Sequence, residues 1–132
     1  MPKRRIKFKC DLPPYVHPRL RWRQLIHQSA HEAFRQQNIQ AYAADNRFML
    51  TIRLRMTKSA MAFHDVDNRL KDIMDALQGR LGGSKAIAPH RPLIPNDRQI
   101  FRVSIEKLNS KKTSQMARHA GYFVVSRYRR GG

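Results

Sequence analysis

From Arg47 to Leu77 the chain reads RFMLTIRLRMTKSAMAFHDVDNRLKDIMDAL. Residues 47–56 alternate between apolar and more polar side chains, which predicts a β-strand with its apolar face towards the core. After a short connection over residues 58–63, apolar side chains recur at the spacing of a helix, at Leu70, Ile73, Met74 and Leu77. The segment therefore predicts a strand followed by a helix.

Asp67 is a residue type that caps helices well, so the helix is predicted to begin at or just after it. Gly79 is expected to end it. Residues 81–95 contain two glycines and three prolines and predict a flexible surface loop.

Two more elements precede this unit. Residues 4–11 alternate like a half-buried strand, and residues 19–37 have the apolar periodicity of a helix. The outer side of that helix is predicted to carry Arg19, Arg23, His27 and Arg35. His27 and His31 lie four residues apart and could share a metal ion, but the sequence favours a solvated polar face for them.

Alternation at Phe101, Val103 and Ile105 predicts a third strand after the loop, and Tyr122–Val125 predicts a short edge strand. The predicted fold class is α+β, with a small mixed sheet of three to four strands and two main helices in the order β-α-β-α-β(-β). We expect residues 1–132 to form one domain, with basic and mobile ends over residues 1–4 and about 110–132.

Charge is the strongest compositional signal, because the net charge is +18 and the pI is about 11.4. Such a chain attracts nucleic acid or an anionic membrane surface. No apolar run is long enough to span a membrane, and no signal peptide precedes the first strand. The single cysteine, Cys10, suits a reducing compartment, so we expect a cytoplasmic protein associated with the nucleoid.

The acidic residues are concentrated in one place. The chain has nine of them against 27 Lys and Arg, yet four of the nine lie at Asp65, Asp67, Asp72 and Asp75. A protein that only coated a polyanion would gain nothing from this cluster. A bound divalent cation is the simplest explanation.

Geometry extends the cluster. Asp65 and Asp67 lie two residues apart where an extended segment enters the helix, and Lys71 lies one helical turn after Asp67. Asp97 precedes the third strand, and if that strand neighbours the second, Asp97 can approach the other two aspartates at the end of the sheet. Three carboxylates without cysteine suit Mg²⁺, with Mn²⁺ as a substitute.

Simpler readings of the same residues remain open. Asp67 and Lys71 could form an ordinary helix ion pair, and Asp65 could be a loop cap. Asp72 and Asp75 could lie on a solvated helix face, while Asp97 could be a turn residue. His64, beside the cluster, is either a proton-transfer group or an ordinary loop histidine.

The motif resembles a known family. Asp65-Val66-Asp67-Asn68-Arg69-Leu70-Lys71, followed by Asp75-Ala76-Leu77 and, after the loop, Asn96-Asp97-Arg98-Gln99-Ile100, is similar to the signature of the RusA family of Holliday-junction resolvases. That signature is D-x-D-N-x-x-K-x-x-x-D-x-L with a later D-x-Q-[IV]. The likeness extends from the Pro13-Pro14 turn through the third strand.

The resemblance implies roles for individual residues. Asp65, Asp67 and Asp97 match metal-binding aspartates, and Lys71 matches a catalytic lysine. Asn68 matches the motif asparagine, a structural or outer-sphere residue, and we add Arg69 and Arg98 as candidates for supporting the site or contacting DNA.

The resemblance also implies an activity. Such proteins are Mg²⁺-dependent homodimers, and each acts as a crossover junction endodeoxyribonuclease that nicks a four-way DNA junction symmetrically during recombination and repair. A prophage or mobile-element origin is compatible with so compact a resolvase.

Two other functions compete with this one. A non-catalytic basic nucleic-acid-binding protein needs only Lys and Arg, and a metal-dependent nuclease for other branched DNA would use the same carboxylates. The basic segments at residues 3–5 and 127–130 either hold DNA phosphates or act as solubilising tails.

Overall fold

The computed structural model describes residues 6–81, 91–109 and 120–129. In chain order the elements are strand β1 (Phe8–Asp11), helix α1 (Arg19–Gln36), strand β2 (Phe48–Met56), the one-turn helix α2 (Lys58–Met61), helix α3 (Val66–Leu77), a 3₁₀ turn η1 (Asp97–Gln99), strand β3 (Ile100–Asn109) and strand β4 (Gly121–Arg127). The α+β class, with a small mixed sheet and two main helices, is confirmed.

The four strands form one sheet in the order β1-β4-β2-β3. Strand β4 is antiparallel to both β1 and β2, whereas β3 is parallel to β2. The prediction that Tyr122–Val125 forms an edge strand was therefore wrong. Phe123 and Val125 of β4 are buried, and the backbone of β4 is paired on both sides.

Gly121 begins β4 in a conformation that only glycine adopts readily. Its φ is +111°, and a Cβ atom there would lie 1.9 Å from the carbonyl oxygen of Arg53. The close approach lets β4 enter the sheet directly against β2.

Element boundaries agree with the sequence patterns to within a few residues. Helix α1 spans Arg19–Gln36 against the predicted 19–37, and α3 begins at Val66, one residue before Asp67. Gly79 has a φ of 75° just past α3, which is the expected end of a helix. The first strand is shorter than predicted, at Phe8–Asp11, and residues 1–5 lie outside the described residues.

The core forms where α1 and α3 cover the sheet. In β2 every second side chain is buried, from Phe48 to Met56. These pack in one cluster with Trp22 and Ile26 of α1 and with Ile73 of α3. Each such large side chain contributes roughly 1.5–3 kcal/mol when it leaves water.

The two helices also pack against each other, and this corrects the prediction of a polar outer face on α1. His27 is only 9% exposed, and the side chain of Arg23 is 14% exposed. Both lie on the part of α1 that α3 and the segment after it cover. The amphipathic pattern indicated which residues face the sheet but not which polar residues face a second helix.

The loop prediction was only partly right. Leu93 and Ile94 are buried, and their N–H groups both donate to the carbonyl oxygen of Leu77, at 2.8 and 3.1 Å. Residues 82–90 of the predicted loop and residues 110–119 and 130–132 of the basic C-terminal end lie outside the described residues. In the part of the chain that is described, no helix has the length and apolarity needed to cross a membrane.

Candidate metal and DNA site

Asp65 occupies the N-cap position of α3, after β2, α2 and a short connection. Its backbone is extended (φ −78°, ψ 134°), and its carboxylate makes no capping hydrogen bond to the helix. It instead accepts a hydrogen bond of 3.2 Å from the side-chain amide of Asn68. Asn68 therefore orients the carboxylate and leaves its other oxygen available to a ligand.

Asp67 and Lys71 lie one turn apart on α3, and both are exposed. Within the described residues neither forms an ion pair, so the simple reading of an Asp67–Lys71 helix pair is not what the structure contains. An anion and a cation that remain accessible on one edge of a helix can each contact an outside partner. A metal ion and a phosphate are partners of the required charges.

Asp97 lies in a turn that is firmly anchored. The N–H of Asn96 donates to the side chain of Gln99 at 3.0 Å, and the side chain of Asn96 accepts from Arg98 N–H at 2.9 Å. The buried Gln99 side chain also donates to the carbonyl oxygens of Ala43 and Asn46, both at 2.9 Å. The spacing of Asp97 and Gln99 thus has a structural basis in this chain: Gln99 fixes the turn while Asp97 and Arg98 stay exposed.

The parallel pairing of β2 and β3 determines where Asp97 lies relative to the other aspartates. Ile100 is opposite Phe48 and Asn109 is opposite Met56, so Asp97 lies beside the start of β2. Asp65 follows the far end of β2, and α3 then runs back for 12 residues. The helix is about 18 Å long, so Asp65 lies towards the opposite end of the sheet from Asp97.

The expected approach of Asp97 to Asp65 and Asp67 at one end of the sheet therefore does not occur within a single chain. Among the described residues no group of three or more His, Cys, Asp or Glu side chains is arranged to hold a metal ion. The condition set for this approach, that β3 neighbours β2, is met, but parallel strands place their starting residues at the same end of the sheet. Asp65 and Asp67 are the pair that one chain can offer to Mg²⁺.

The other two acidic residues of α3 are engaged in a different way. Asp72 has no exposed side-chain surface and lies within 3.1 Å of Arg19, 2.8 Å of Arg23 and 3.2 Å of Arg69. Arg23 also contacts Asp75 at 3.4 Å. The reading of Asp72 as part of a solvated helix face was wrong, because α1 supplies two of the three arginines that cover it.

The ion pairs around Asp72 also hold the side chain of Arg69 in position. Its guanidinium is 5.4 Å from the centre of the Trp22 ring, and its side chain is 13% exposed. Arg69 therefore packs between α3 and α1, which supports the expectation that it is a supporting residue of the site and leaves little of its side chain exposed for DNA. Arg98, on the exposed turn η1, remains accessible to phosphate.

Two aromatic groups precede the first aspartate. The side chain of Phe63 is 85% exposed, which is unusual for a large apolar residue. The ring of His64 lies against that of Tyr15, with 4.5 Å between centroids. Burial, assisted by the charges of Arg69 and Lys107, lowers the pKa of His64. Phe63 is not among the site residues expected from the sequence, although its position two residues before the D-x-D motif is a recognisable signal.

The local chemistry fits a hard divalent cation. Asp65 and Asp67 supply carboxylate oxygens at the positive end of the helix dipole, and Mg²⁺ binds through one or two carboxylates together with water and phosphate oxygens. A phosphodiester bound to such an ion would lie near Lys71. This arrangement can activate water and offset the charge that develops on phosphate.

In comparisons with known proteins, no protein-family model, curated protein or solved structure matches the chain. Function must therefore be inferred from the residues of the chain itself.

Proposed function

We propose that this protein is a Mg²⁺-dependent endodeoxyribonuclease that resolves four-way DNA junctions by paired nicks. The observation that carries the proposal is the accessible Asp65–Asp67 pair beside Lys71 in a chain of net charge +18. Those carboxylates remain open to a ligand although 27 Lys and Arg residues are present to neutralise them. The similarity of the surrounding motif to the RusA signature supports the same reaction.

A homodimer would complete the carboxylate set. Strand β3 lies at one edge of the sheet, and its side chains Phe101 and Val103 are 51% and 37% exposed. Exposed edge strands with apolar side chains pair readily with another strand. We infer that the partner is the β3 strand of a second copy, related by a two-fold axis and therefore antiparallel.

This pairing has a direct consequence for Asp97. Antiparallel β3 strands place the start of one strand beside the end of the other. The end of β3 is close to the segment before Asp65, because the Lys107 Nζ atom donates to the carbonyl oxygen of Met61 at 2.7 Å. Asp97 of one copy would then approach Asp65 and Asp67 of the other, which gives two composite sites per dimer.

Two such sites suit a four-way junction. Symmetric resolution requires two coordinated cuts, and a dimer with two-fold symmetry presents two equivalent sites to the two opposed strands. Exposed arginines such as Arg98, Arg127 and Arg129 add phosphate contacts that do not depend on base sequence. Of the basic ends, residues 1–5 and 130–132 are not among the described residues.

The test of the reaction is Asp67→Asn. We expect the rate of Mg²⁺-dependent nicking of a synthetic four-way junction to fall at least about a hundredfold, because one metal ligand is lost. Junction binding in Ca²⁺ should stay close to that of the unchanged protein. Asp11→Asn is the matched control, since Asp11 is exposed on β1, at the opposite edge of the sheet from β3.

Three outcomes would contradict the proposal in different ways. Equal nicking by Asp67→Asn would remove the metal assignment. Equal binding of junction and linear duplex, with no product in Mg²⁺, would favour a non-catalytic nucleic-acid-binding protein. Faster cutting of flaps than of junctions would favour a nuclease for other branched DNA.

The composite site is tested by mixing two inactive variants. Asp67→Asn and Asp97→Asn chains are refolded together, so that mixed dimers form. If the sites are shared, each mixed dimer contains one site with all three aspartates, and about a quarter of all sites become active. If each site belongs to one chain, the mixture stays inactive like its components.

A further inference from the structure

An exposed aromatic cluster lies at the end of the sheet where β2 and β3 begin and β4 ends. The rings of Phe101 and Tyr128 are 5.3 Å apart between centroids and are inclined at 46°. The guanidinium of Arg47 lies over the Phe101 ring, 5.1 Å from its centre. Arg47 directly precedes β2 and Tyr128 directly follows β4, so three adjacent strands each supply one member of the cluster.

A shift in the strand register gives Phe101 its exposed position. Phe48 of β2 is opposite Ile100, and the next residue of β2 is opposite Arg102. Phe101 is therefore the extra residue of a β-bulge, a feature that changes the direction of a side chain and often lies beside a functional site. Ile105, later in the same strand, packs against the core, whereas Phe101 is half exposed.

Contacts within the cluster hold its side chains in place. The Tyr128 N–H group donates to the carbonyl oxygen of Arg47 at 2.9 Å, which joins the end of β4 to the start of β2. The Arg47 guanidinium is in turn oriented by the face of the Phe101 ring. Groups that are ordered before a ligand arrives lose less conformational entropy when they bind it.

The charge around the rings is mainly positive. Asp45 and Asp97 are the acidic residues closest in sequence to the cluster. Exposed arginines lie within three residues of the two rings along the chain, at Arg98, Arg102, Arg127 and Arg129. Aromatic rings interspersed with cations are the arrangement by which proteins bind unpaired nucleic-acid strands, because bases stack on the rings while the cations contact phosphates.

We propose that Arg47, Phe101 and Tyr128 form a binding site for an unpaired nucleotide of DNA, with its base stacked on the rings and its phosphates held by the arginines. The inference rests on the proposed function in taking DNA as the partner. Phe101 follows Asp97 by four residues and so lies within about 14 Å of it. A base is displaced most easily where a duplex is already interrupted, as at the exchange point of a junction.

The proposed pairing of β3 strands leaves this site accessible. Strand pairing uses backbone N–H and C=O groups in the plane of the sheet, whereas side chains project from its two faces. A dimer joined through β3 would therefore carry two copies of the site, one beside each Asp97.

The experiment measures binding of the full chain to two labelled oligonucleotides by fluorescence anisotropy, without divalent cation. One is oligo-dT about 12 nucleotides long, and the other has the same phosphates but abasic sugars. Phe101→Leu should weaken binding of oligo-dT at least about fivefold, because the base loses its aromatic partner. Binding of the abasic strand should change by less than about twofold, since the arginines that contact phosphates are unchanged.

Two further variants test the other members of the cluster. Tyr128→Leu should show the same dependence on the base as Phe101→Leu, although it alters a different strand. Arg47→Gln should instead weaken binding of both oligonucleotides. It should also reduce the slope of log K against log salt by about 0.7, the contribution of one phosphate contact on a single strand.

Tyr122→Leu is the matched control. This aromatic residue also lies beneath a cation, with the Lys9 Nζ atom 4.5 Å from the centre of its ring. It lies at the opposite end of β4, where its strand partner is the exposed Asp11. The variant should bind both oligonucleotides like the unchanged protein.

The outcomes that would overturn the site are distinct. Equal affinity of the unchanged protein for the two oligonucleotides, or equal losses on both in Phe101→Leu, would show that the rings do not contact a base. Dissociation of a dimer in Phe101→Leu, followed by sedimentation, would assign the ring to a contact between copies. Because the assay involves no cleavage, a protein that passes it but never nicks a junction would refute the proposed function and leave this site standing.

Discussion

The carboxylates of α3 form two groups that differ in what surrounds them. Asp65 and Asp67, in and before the first turn, are exposed and have no ion-pair partner among the described residues. Asp72, only five residues after Asp67, is fully buried and contacts three arginines. The same residue type is therefore open to an outside partner at one end of the helix and acts as an internal counter-ion further along.

The two groups of carboxylates differ because α1 covers the middle of α3 but not its first turn. Arg19 and Arg23 of α1 lie over the middle of α3 and contact the buried Asp72, and the largely buried Arg23 also contacts Asp75. The first turn of α3 extends beyond that contact and meets solvent. A negative charge there costs little in the folded chain, and it remains available to a cation.

The largest expected effect is on stability, and it comes from replacing the buried carboxylate of Asp72. Asp72→Asn should lower the free energy of unfolding by about 3–5 kcal/mol, because Arg19 and Arg69 lose their carboxylate partner and Arg23 keeps only Asp75. Urea denaturation followed by circular dichroism measures it. Asp67→Asn is the control and should change stability by less than about 0.5 kcal/mol. Similar stability losses in the two variants would remove the distinction between the groups.

A smaller effect, on DNA binding, tests the exposed segment at the start of α3. Phe63→Ala should weaken junction binding by about 1–3 kcal/mol, the usual contribution of one base stacked on an aromatic ring. Stability should not change, because the Phe63 side chain is 85% exposed. Leu20→Ala, at another exposed apolar residue, is the control. Fluorescence anisotropy with a labelled junction gives both affinities, and equal affinities would exclude a stacking role.

The sequence predicted the sheet and both main helices because their patterns are local. The alternation in residues 47–56 arises because one face of the strand is buried. The apolar stripe of α3 arises in the same way, because one face of the helix packs on the sheet. Long-range pairing was harder to predict: Tyr122–Val125 has the composition of an edge strand, yet Gly121 lets it enter between β1 and β2. Nothing in the local pattern states which strand lies on either side.

Part of the candidate site could be indicated from the sequence. The concentration of acidic residues and the helical spacing single out Asp65, Asp67 and Lys71, and the structure leaves all three exposed. The roles of Asp72, Arg69 and His27 depend on how α1 crosses α3, which no single segment specifies. The separation of Asp97 from the other aspartates follows from the parallel direction of β3, and this appears only when the strands are paired.

The smallest expected effect distinguishes an outer arginine from an inner one. Arg98 is exposed on η1, whereas Arg23 is held by Asp72 and Asp75. Each phosphate that a cation neutralises contributes about 0.9 to the slope of log K against log salt on duplex DNA. Arg98→Ala should therefore reduce the slope for junction binding by about 1 and leave stability unchanged.

Arg23→Ala should give the opposite result, with lower stability and an unchanged slope, since its guanidinium is already engaged inside the protein. Anisotropy titrations at several KCl concentrations, with urea denaturation of the same samples, measure both quantities. An unchanged slope for Arg98→Ala would place DNA away from η1. Because η1 also holds Asp97, that result would argue against Asp97 contributing to the cleavage site, even if Asp67→Asn had abolished nicking.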